Sequence, residues 1–206
     1  MKQVVSVLLV FTIVLACIPI SFADVESDYY NPNEKEYVDI NGSIYRIDYE
    51  HDQYSTTYIT NTANGSVEIL TFDKESGSVF SNGILIASIQ DTTCDKQKQN
   101  SFRRGWVWEC DDVRTLSILD AITPVALAVI IGYVIGGAGA GIIMTEMGLN
   151  VLNGIAGYYD FITIEYSLYS QDLPDRAMLW YNWAATPYGG SWHGWYNTYF
   201  TYMYYE

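Results

Sequence analysis

AITPVALAVIIGYVIGGAGAGIIMT, residues 121–145, contains no charged side chain. Asp120 or Thr123 supplies a capping side chain at its start, and Pro124 suits the first turn of a helix. The glycine cluster from Gly136 to Gly141 lowers helix propensity in the middle of the stretch and predicts a bend between two short helices. We therefore predict an apolar, Gly-rich helical segment over residues 119–157.

The glycines of this segment follow a second pattern. Gly132 and Gly136, and likewise Gly137 and Gly141, are four residues apart, a spacing that lets helices approach closely in lipid. Three interpretations follow: a transmembrane anchor, a buried helical hairpin, or an element that is buried in water and inserts into a target membrane. An anchor would place the arginines that precede the stretch outside the cell, against the positive-inside bias. A buried hairpin and a membrane-inserting element are compatible with each other.

Strand-like sequence flanks the apolar segment on both sides. Over residues 37–90, short apolar runs are separated by Asn-Gly dipeptides, which favour tight hairpin turns and predict an antiparallel meander. From Phe161 to Leu168 the side chains alternate with a period of two residues, as in a strand, within an aromatic-rich β region over residues 158–206. The predicted fold class is α+β, with an antiparallel β meander, a central Gly-rich apolar helical hairpin and aromatic-rich C-terminal antiparallel strands.

The aromatic residues of the C-terminal region allow two interpretations. Tyr and Trp pack well as cross-strand pairs on a sheet, and they also prefer boundaries that are apolar on one side and wet on the other. The second property suits an interfacial belt or a carbohydrate-stacking face. Trp192, His193 and Trp195 are the candidate binding residues in this region.

The N-terminus predicts export. Positive charge at Lys2 precedes an uncharged run from Val4 to Ile20, and small residues at Ser21 and Ala23 suit signal peptidase. Residues 1–23 are therefore predicted to be a signal peptide, and the protein is predicted to be secreted.

Two alternatives compete with simple secretion. Cys17 lies in a lipobox-like context and would give a lipid anchor, and an uncleaved helix would give a membrane anchor. Residues 24–36, at the start of the mature chain, are acidic and predicted to be flexible.

Signal cleavage leaves Cys94 and Cys110 as the remaining thiols. An even pair in an oxidising compartment predicts one disulfide, which would staple a polar connection over residues 91–118. Two cysteines and the distant His193 lack metal-ligand spacing, so no metal site is predicted.

Composition narrows the function. The formal net charge is -14, which disfavours contact with nucleic acid phosphates and attraction to anionic lipid. The sequence has no nucleophile elbow, no His-Glu-x-x-His helix and no phosphate-binding Gly-Lys-Ser motif. We therefore predict no catalytic residue and no cofactor, and a small secreted hydrolase is a minor alternative.

The order of these features is a signal peptide, Asn-Gly hairpins, a Gly-rich apolar centre and an aromatic strand-like tail. This architecture resembles secreted Gram-positive bacteriocin-like antimicrobial proteins of the geobacillin type, without a motif that matches residue by residue. The resemblance implies an antimicrobial that acts on target-cell membranes through its central apolar segment, with an immunity protein as a candidate partner. The alternative is a binding or structural module of the cell envelope.

Overall fold

The computed structural model describes residues 35–51, 53–95, 105–136, 139–158, 160–174, 176–187 and 195–203. Within them, ten strands form one sheet and three short helices lie between the seventh and eighth strands. The strands are β1 Lys35–Ile40, β2 Ser43–His51, β3 Ser55–Asn61, β4 Val67–Asp73, β5 Ser78–Ser81, β6 Ile84–Asp95, β7 Val107–Ile118, β8 Phe161–Asp172, β9 Arg176–Pro187 and β10 Tyr196–Met203. The helices are α1 Pro124–Val134, α2 Ala140–Met147 and α3 Leu149–Tyr158.

The sheet is an antiparallel meander, because every strand pairs with the strands before and after it in the chain. Tight turns produce this order. Asn41 and Gly42 have φ angles of 50° and 82° between β1 and β2, and Asn82 and Gly83 repeat these angles between β5 and β6. Positive φ at both central residues matches the right-handed twist of paired strands. The predicted α+β class with antiparallel strands is confirmed.

The two predicted β regions belong to the same sheet. β7 pairs with β8 across the helical segment, with Leu116 opposite Ile162 and Arg114 opposite Ile164. The sequence patterns of residues 37–90 and 158–206 indicate strands in each region but carry no signal that β7, between them in the chain, joins both regions into one sheet.

Two predicted boundaries differ from the structure. The connection predicted over residues 91–118 contains the end of β6 and the whole of β7. Its polar side chains are compatible with strands because a strand exposes one face of its residues. β1 begins at Lys35, so Glu36 belongs to a strand and not to the acidic segment predicted over residues 24–36. Residues 1–34, including the predicted signal peptide, lie outside the described residues.

Helix α1 lies in the middle of the hydrophobic core. Its residues from Val125 to Gly132 are all buried, as is Val134. A helix that is apolar on every side must be enclosed, and the inner face of the sheet encloses this one. Buried residues from β1 to β9 form a single cluster with the helices, with fully buried members that include Ile47, Leu70, Leu116 and Ile162.

The sheet curves around the helices. Strands β1 and β9 would lie about 38 Å apart in a flat sheet, since neighbouring strands are about 4.8 Å apart. Yet Tyr181 of β9 packs against Gly136, and Glu36 of β1 packs against Gly139 and Gly141. Both strands therefore approach the same short stretch between α1 and α2, which requires strong curvature.

Gly136 offers a test of this close approach. Its φ is 109°, and an added Cβ would lie 2.4 Å from the Tyr181 hydroxyl oxygen. We expect Gly136→Ala to lower the free energy of unfolding by about 2–4 kcal/mol, because backbone strain and overpacking add. Denaturant unfolding measures this loss.

The matched control is Gly83→Ala. Gly83 has φ of 82° with nothing within 4 Å of an added Cβ, so only backbone strain of about 1–2 kcal/mol is expected. Equal losses in the two variants would contradict the packing of Tyr181 on Gly136.

Candidate functional site

One end of the curved sheet is where α1 begins. In the meander, odd-numbered strands end at this surface and even-numbered strands begin there, and α1 follows β7 after a short connection. Large apolar side chains are exposed at this surface, which we call the apolar end and define by these residues: Ile44, Val67, Ile69, Ile84, Leu85, Leu119, Phe161 and Trp195.

The side chains of the apolar end are between 37% and 58% exposed. Elsewhere among the described residues, the large apolar side chains with comparable exposure are Tyr37, Tyr54, Val107 and Tyr199. Single exposed apolar side chains are ordinary on protein surfaces, whereas their concentration on one surface marks an interaction site. The apolar end is therefore the candidate functional site.

The charge at the apolar end is negative. Asp120 and Asp160 are exposed beside Leu119 and Phe161, and the turns that the structure describes at this end contain no Lys or Arg. A surface with this charge is repelled by anionic lipid headgroups. It suits a partner surface that is apolar or zwitterionic.

The start of α1 is fixed to the sheet at the apolar end. Thr123 Oγ1 accepts a hydrogen bond from the Ala126 backbone N at 3.1 Å and donates to Glu68 Oε2 at 3.2 Å. Glu68 Oε1 also accepts from the Ser81 hydroxyl at 2.7 Å. A carboxylate beside a helix N-terminus is stabilising because the helix dipole is positive there.

The start of α2 is fixed by two strand residues that lie far away in the chain. Glu36 Oε1 accepts from the Gly141 backbone N at 2.5 Å, and Glu36 Oε2 accepts from the Tyr49 hydroxyl at 2.7 Å. The Tyr49 oxygen also accepts from the Ala140 backbone N at 3.2 Å. Gly139, at the N-cap of α2, has no side chain that could cap the helix. We call these three contacts the β1 latch, because they tie the first strand of the sheet to a helix.

A buried polar cluster lies between β7 and β8. Asp112 is 6% exposed, and its Oδ2 accepts from the Tyr166 hydroxyl at 2.8 Å and from Arg114 Nε at 2.9 Å. Burial, and after it the hydrogen bond to Asp112, raises the pKa of Tyr166 well above its ordinary value of 10.0. The ring of Tyr166 contacts that of Tyr181 at 5.9 Å, which connects this cluster to the packing against Gly136.

The glycines predicted to pack helices lie in different settings. Gly132 is buried in α1, and Gly136 follows the end of α1 with positive φ. Gly141 lies in the first turn of α2, where the Glu36 carboxylate occupies the space of a Cβ. Gly137 lies outside the described residues. Because α1 and α2 are separate helices, the spacing of four residues does not run along one continuous helix face.

The predicted disulfide stays a prediction. In the β6–β7 register Cys94 lies opposite Asp112, and half-buried Cys110 lies two residues away from Asp112 on β7. Diagonal neighbours have Cα atoms about 7–8 Å apart, whereas disulfides usually require less than about 7 Å. A bridge would therefore need a local backbone shift. The side chain of Cys94 lies outside the described residues.

Of the three predicted binding residues, the structure describes one. Trp195 is exposed and belongs to the apolar end. Trp192 and His193 lie outside the described residues. Among the described residues no group of three His, Cys, Asp or Glu side chains suits a metal ion.

Sequence reasoning missed Glu36 and Asp112. Glu36 looks like one more residue of an acidic segment, and Asp112 is one of two consecutive aspartates. The alternation of inward and outward residues in β7 was the available signal for Asp112, since its neighbours at even positions include buried Leu116. No local signal identifies Glu36, because its helix partner Gly141 is 105 residues away in the chain.

The chain matches no protein-family model, no curated protein and no solved structure. None of the helices in the described part of the chain is both long enough and apolar enough to span a membrane. The function must therefore be argued from the apolar end, the enclosed helices and the contacts that hold them.

The buried tyrosine gives a prediction for alkaline pH. A raised folded-state pKa favours the neutral phenol in the native state, so this stabilisation is complete below pH 10 and is lost as the pH rises above that value. We expect Tyr166 to contribute a loss of up to about 1.4 kcal/mol per pH unit above pH 10.

Tyr166→Phe should unfold more easily than the wild type at pH 8, because Asp112 loses a donor, but its stability should fall less steeply above pH 10. Urea unfolding between pH 8 and pH 11 measures the free energy of unfolding of each protein and how steeply it falls with pH. Tyr169→Phe is the control. Burial also raises the pKa of Tyr169, but its ring is less enclosed, so this substitution should change the slope of stability with pH less than Tyr166→Phe does. Parallel pH profiles for wild type and Tyr166→Phe would contradict the buried cluster.

Proposed function

We propose that this protein is a secreted bacteriocin-like antimicrobial that acts on target-cell membranes through its enclosed apolar helices. One observation carries the proposal: exposed apolar side chains concentrate at the end of the sheet where the enclosed helix α1 begins. The apolar end, which we propose to contact lipid, and the apolar helix α1, which lipid would solvate, thus lie next to each other. Secretion rests on the signal peptide predicted from the sequence.

Docking at the apolar end is the first step. Leu119, Phe161 and Ile84 insert into the boundary between headgroups and acyl chains, as apolar faces of interfacial proteins do. The stabilisation is about 25 cal/mol for each Å² of apolar surface removed from water. Because Asp120 and Asp160 flank these side chains, a zwitterionic surface is preferred over an anionic one.

The helices are the element that acts on the membrane. In the helices and their described connections the single charged side chain is Glu146, and burial raises the pKa of its carboxyl, which favours the neutral form. α1 has 11 residues and α2 has 8, whereas a spanning helix needs about 20. We propose that α1 and α2 act as a helical hairpin that enters the outer part of the bilayer and disturbs its packing.

Release of the helices requires the sheet to open at an edge. β1 pairs with β2 and has no strand on its other side among the described residues, so its displacement breaks one set of strand hydrogen bonds. The two Glu36 contacts of the β1 latch must break as well. An immunity protein in the producing cell would protect its membrane by covering the apolar end.

Vesicle binding tests the docking step. We expect the mature protein to bind zwitterionic phosphatidylcholine vesicles and to release an entrapped dye. The double variant Leu119→Ser, Phe161→Ser should bind about tenfold more weakly or worse, because two apolar anchors are lost. Vesicle flotation measures the binding, and fluorescence of the released dye measures the leakage.

The matched control is Tyr54→Ser. Tyr54 is 47% exposed, like the two anchors, but lies in the turn between β2 and β3 at the opposite end. It should bind vesicles as the wild type does. The proposal fails if the wild type neither binds vesicles nor inhibits growth of neighbouring bacteria, or if Tyr54→Ser weakens binding as much as the double variant.

A latch variant tests the release step. Glu36→Ala removes the carboxylate contacts with Gly141 at the start of α2 and with Tyr49 on β2, and we expect it to lower the free energy of unfolding by about 1–2 kcal/mol. At equal vesicle binding, it should release dye severalfold faster than the wild type, because opening at β1 becomes easier.

Glu50→Ala is the control for charge, since Glu50 is exposed on the neighbouring strand β2. It should match the wild type in stability and in leakage rate. Unchanged or slower leakage in Glu36→Ala, with stability lowered as expected, would show that opening at β1 does not limit the action on membranes.

A further inference from the structure

A row of aromatic side chains crosses the outer face of the last four strands. The register places Trp108 of β7 opposite Tyr169 of β8, Tyr169 opposite Trp180 of β9, and Trp180 opposite Tyr199 of β10. We call these four residues the aromatic row. At about 4.8 Å between strands the row is about 14 Å long, which is the scale of a short oligosaccharide.

Three rings of the aromatic row contact one another. Tyr169 and Trp180 stack with centroids 4.5 Å apart, and Trp180 and Tyr199 stack at 5.9 Å with planes 9° apart. The ring of Trp106 meets Trp180 and Tyr199 edge to face. Tyr199 is nevertheless 45% exposed, so the row remains open at its β10 end. Mutual packing fixes these rings in place before any ligand arrives.

A row of polar side chains lies beside the aromatic row. Asp111 of β7 is opposite Ser167 of β8, Ser167 is opposite Asn182 of β9, and Asn182 is opposite Asn197 of β10. We call these four residues the polar row. They point to the same face as the aromatic row. On β8, β9 and β10 the members of the two rows are two residues apart and therefore share a face. On β7, Trp108 and Asp111 are three residues apart, and a bulge between Trp108 and Cys110 brings them to the same face.

Hydrogen bonds join the two rows. Asn197 Oδ1 accepts from Trp180 Nε1 and from Asn182 Nδ2, both at 3.0 Å, and Asp111 Oδ1 accepts from Trp108 Nε1 at 3.0 Å. Both lone pairs of Asn197 Oδ1 are used in this way, so its amide nitrogen is oriented to donate elsewhere. Asn182 in turn keeps its carbonyl oxygen as an acceptor.

We propose that the aromatic and polar rows bind a glycan of N-acetylated amino sugars. The exposed Tyr199 ring packs against the C–H face of a pyranose or against an acetamido methyl group. The acetamide N–H and C=O pair with the Asn182 carbonyl and the Asn197 amide. The negative Asp111 disfavours phosphate-bearing polymers at this face. A lipid surface is disfavoured as well, because it would strip water from the polar row without replacing its hydrogen bonds.

Retention on insoluble polysaccharides tests the proposal. Chitin, a polymer of N-acetylglucosamine, and cellulose, which has no acetamido group, are compared as matrices for the mature protein. We expect retention on chitin, release by soluble N-acetylglucosamine oligomers, and markedly weaker retention on cellulose. Tyr199→Ser and Asn197→Ala should each weaken retention about tenfold, because each removes a direct contact with the sugar.

Tyr37→Ser is the matched control. Tyr37 is 64% exposed on β1, outside both rows, and its loss should leave retention unchanged. Denaturant unfolding of each variant shows whether weaker retention reflects a lost contact or a lost fold. The inference is overturned if the wild type passes through chitin, if cellulose retains it equally, or if Tyr37→Ser weakens retention as much as Tyr199→Ser.

The test is independent of the membrane proposal. Leu119→Ser, Phe161→Ser should keep chitin retention, and Tyr199→Ser should keep binding to phosphatidylcholine vesicles. If Tyr199→Ser instead loses vesicle binding and keeps chitin retention, the aromatic row is a membrane-facing surface and the glycan inference is wrong.

Discussion

The enclosure of α1 is the constraint on which the rest of the structure depends. Its side chains are apolar around the whole circumference, so no face of the helix is suited to water. One sheet face packed on one helix face would leave the opposite side exposed. The ten described strands solve this by curving until β1 and β9 approach the same stretch around Gly136 and Gly141. Curvature of the sheet therefore follows from the composition of one helix.

Enclosure creates a second requirement, because the ends of enclosed helices carry backbone groups without partners in the helix. The sheet supplies side chains that serve as these partners. Glu68 of β4 supports the capping Thr123 of α1, and Glu36 of β1 accepts from the first turn of α2. Acidic side chains suit helix N-termini, and the chain is strongly acidic overall. Some of its negative charge thus has a defined structural role, so the net charge of the chain says little about the charge of its partner.

The sequence predicts the parts of this fold that depend on neighbours in the chain. Asn41-Gly42 and Asn82-Gly83 specify tight turns, and the uncharged stretch from residue 121 specifies buried helix. It does not predict the parts that depend on distant contacts. Nothing local pairs Leu116 with Ile162 across the helices, and nothing local distinguishes Glu36 from the acidic residues before it. The apolar end has the same origin: its side chains come from turns far apart in sequence that the meander brings to one surface.

Where such a fold could open is decided by hydrogen bonds more than by apolar contacts. Moving α1 from the core to lipid exchanges one apolar environment for another, and the inner face of the sheet loses its cover wherever the sheet opens. The cost that differs from place to place lies in strand and cap hydrogen bonds, and a buried group left without a partner costs about 1–3 kcal/mol. Interior strands such as β7 pair on both sides, whereas β1 and β10 each pair with one strand in the described sheet. β1 is the shorter of the two, with 6 residues against 8. The cheapest opening therefore begins at β1, where Glu36 holds the strand to α2, and it leaves the β7–β10 face intact. The proposed glycan binding and the proposed membrane action thus involve different surfaces of one molecule.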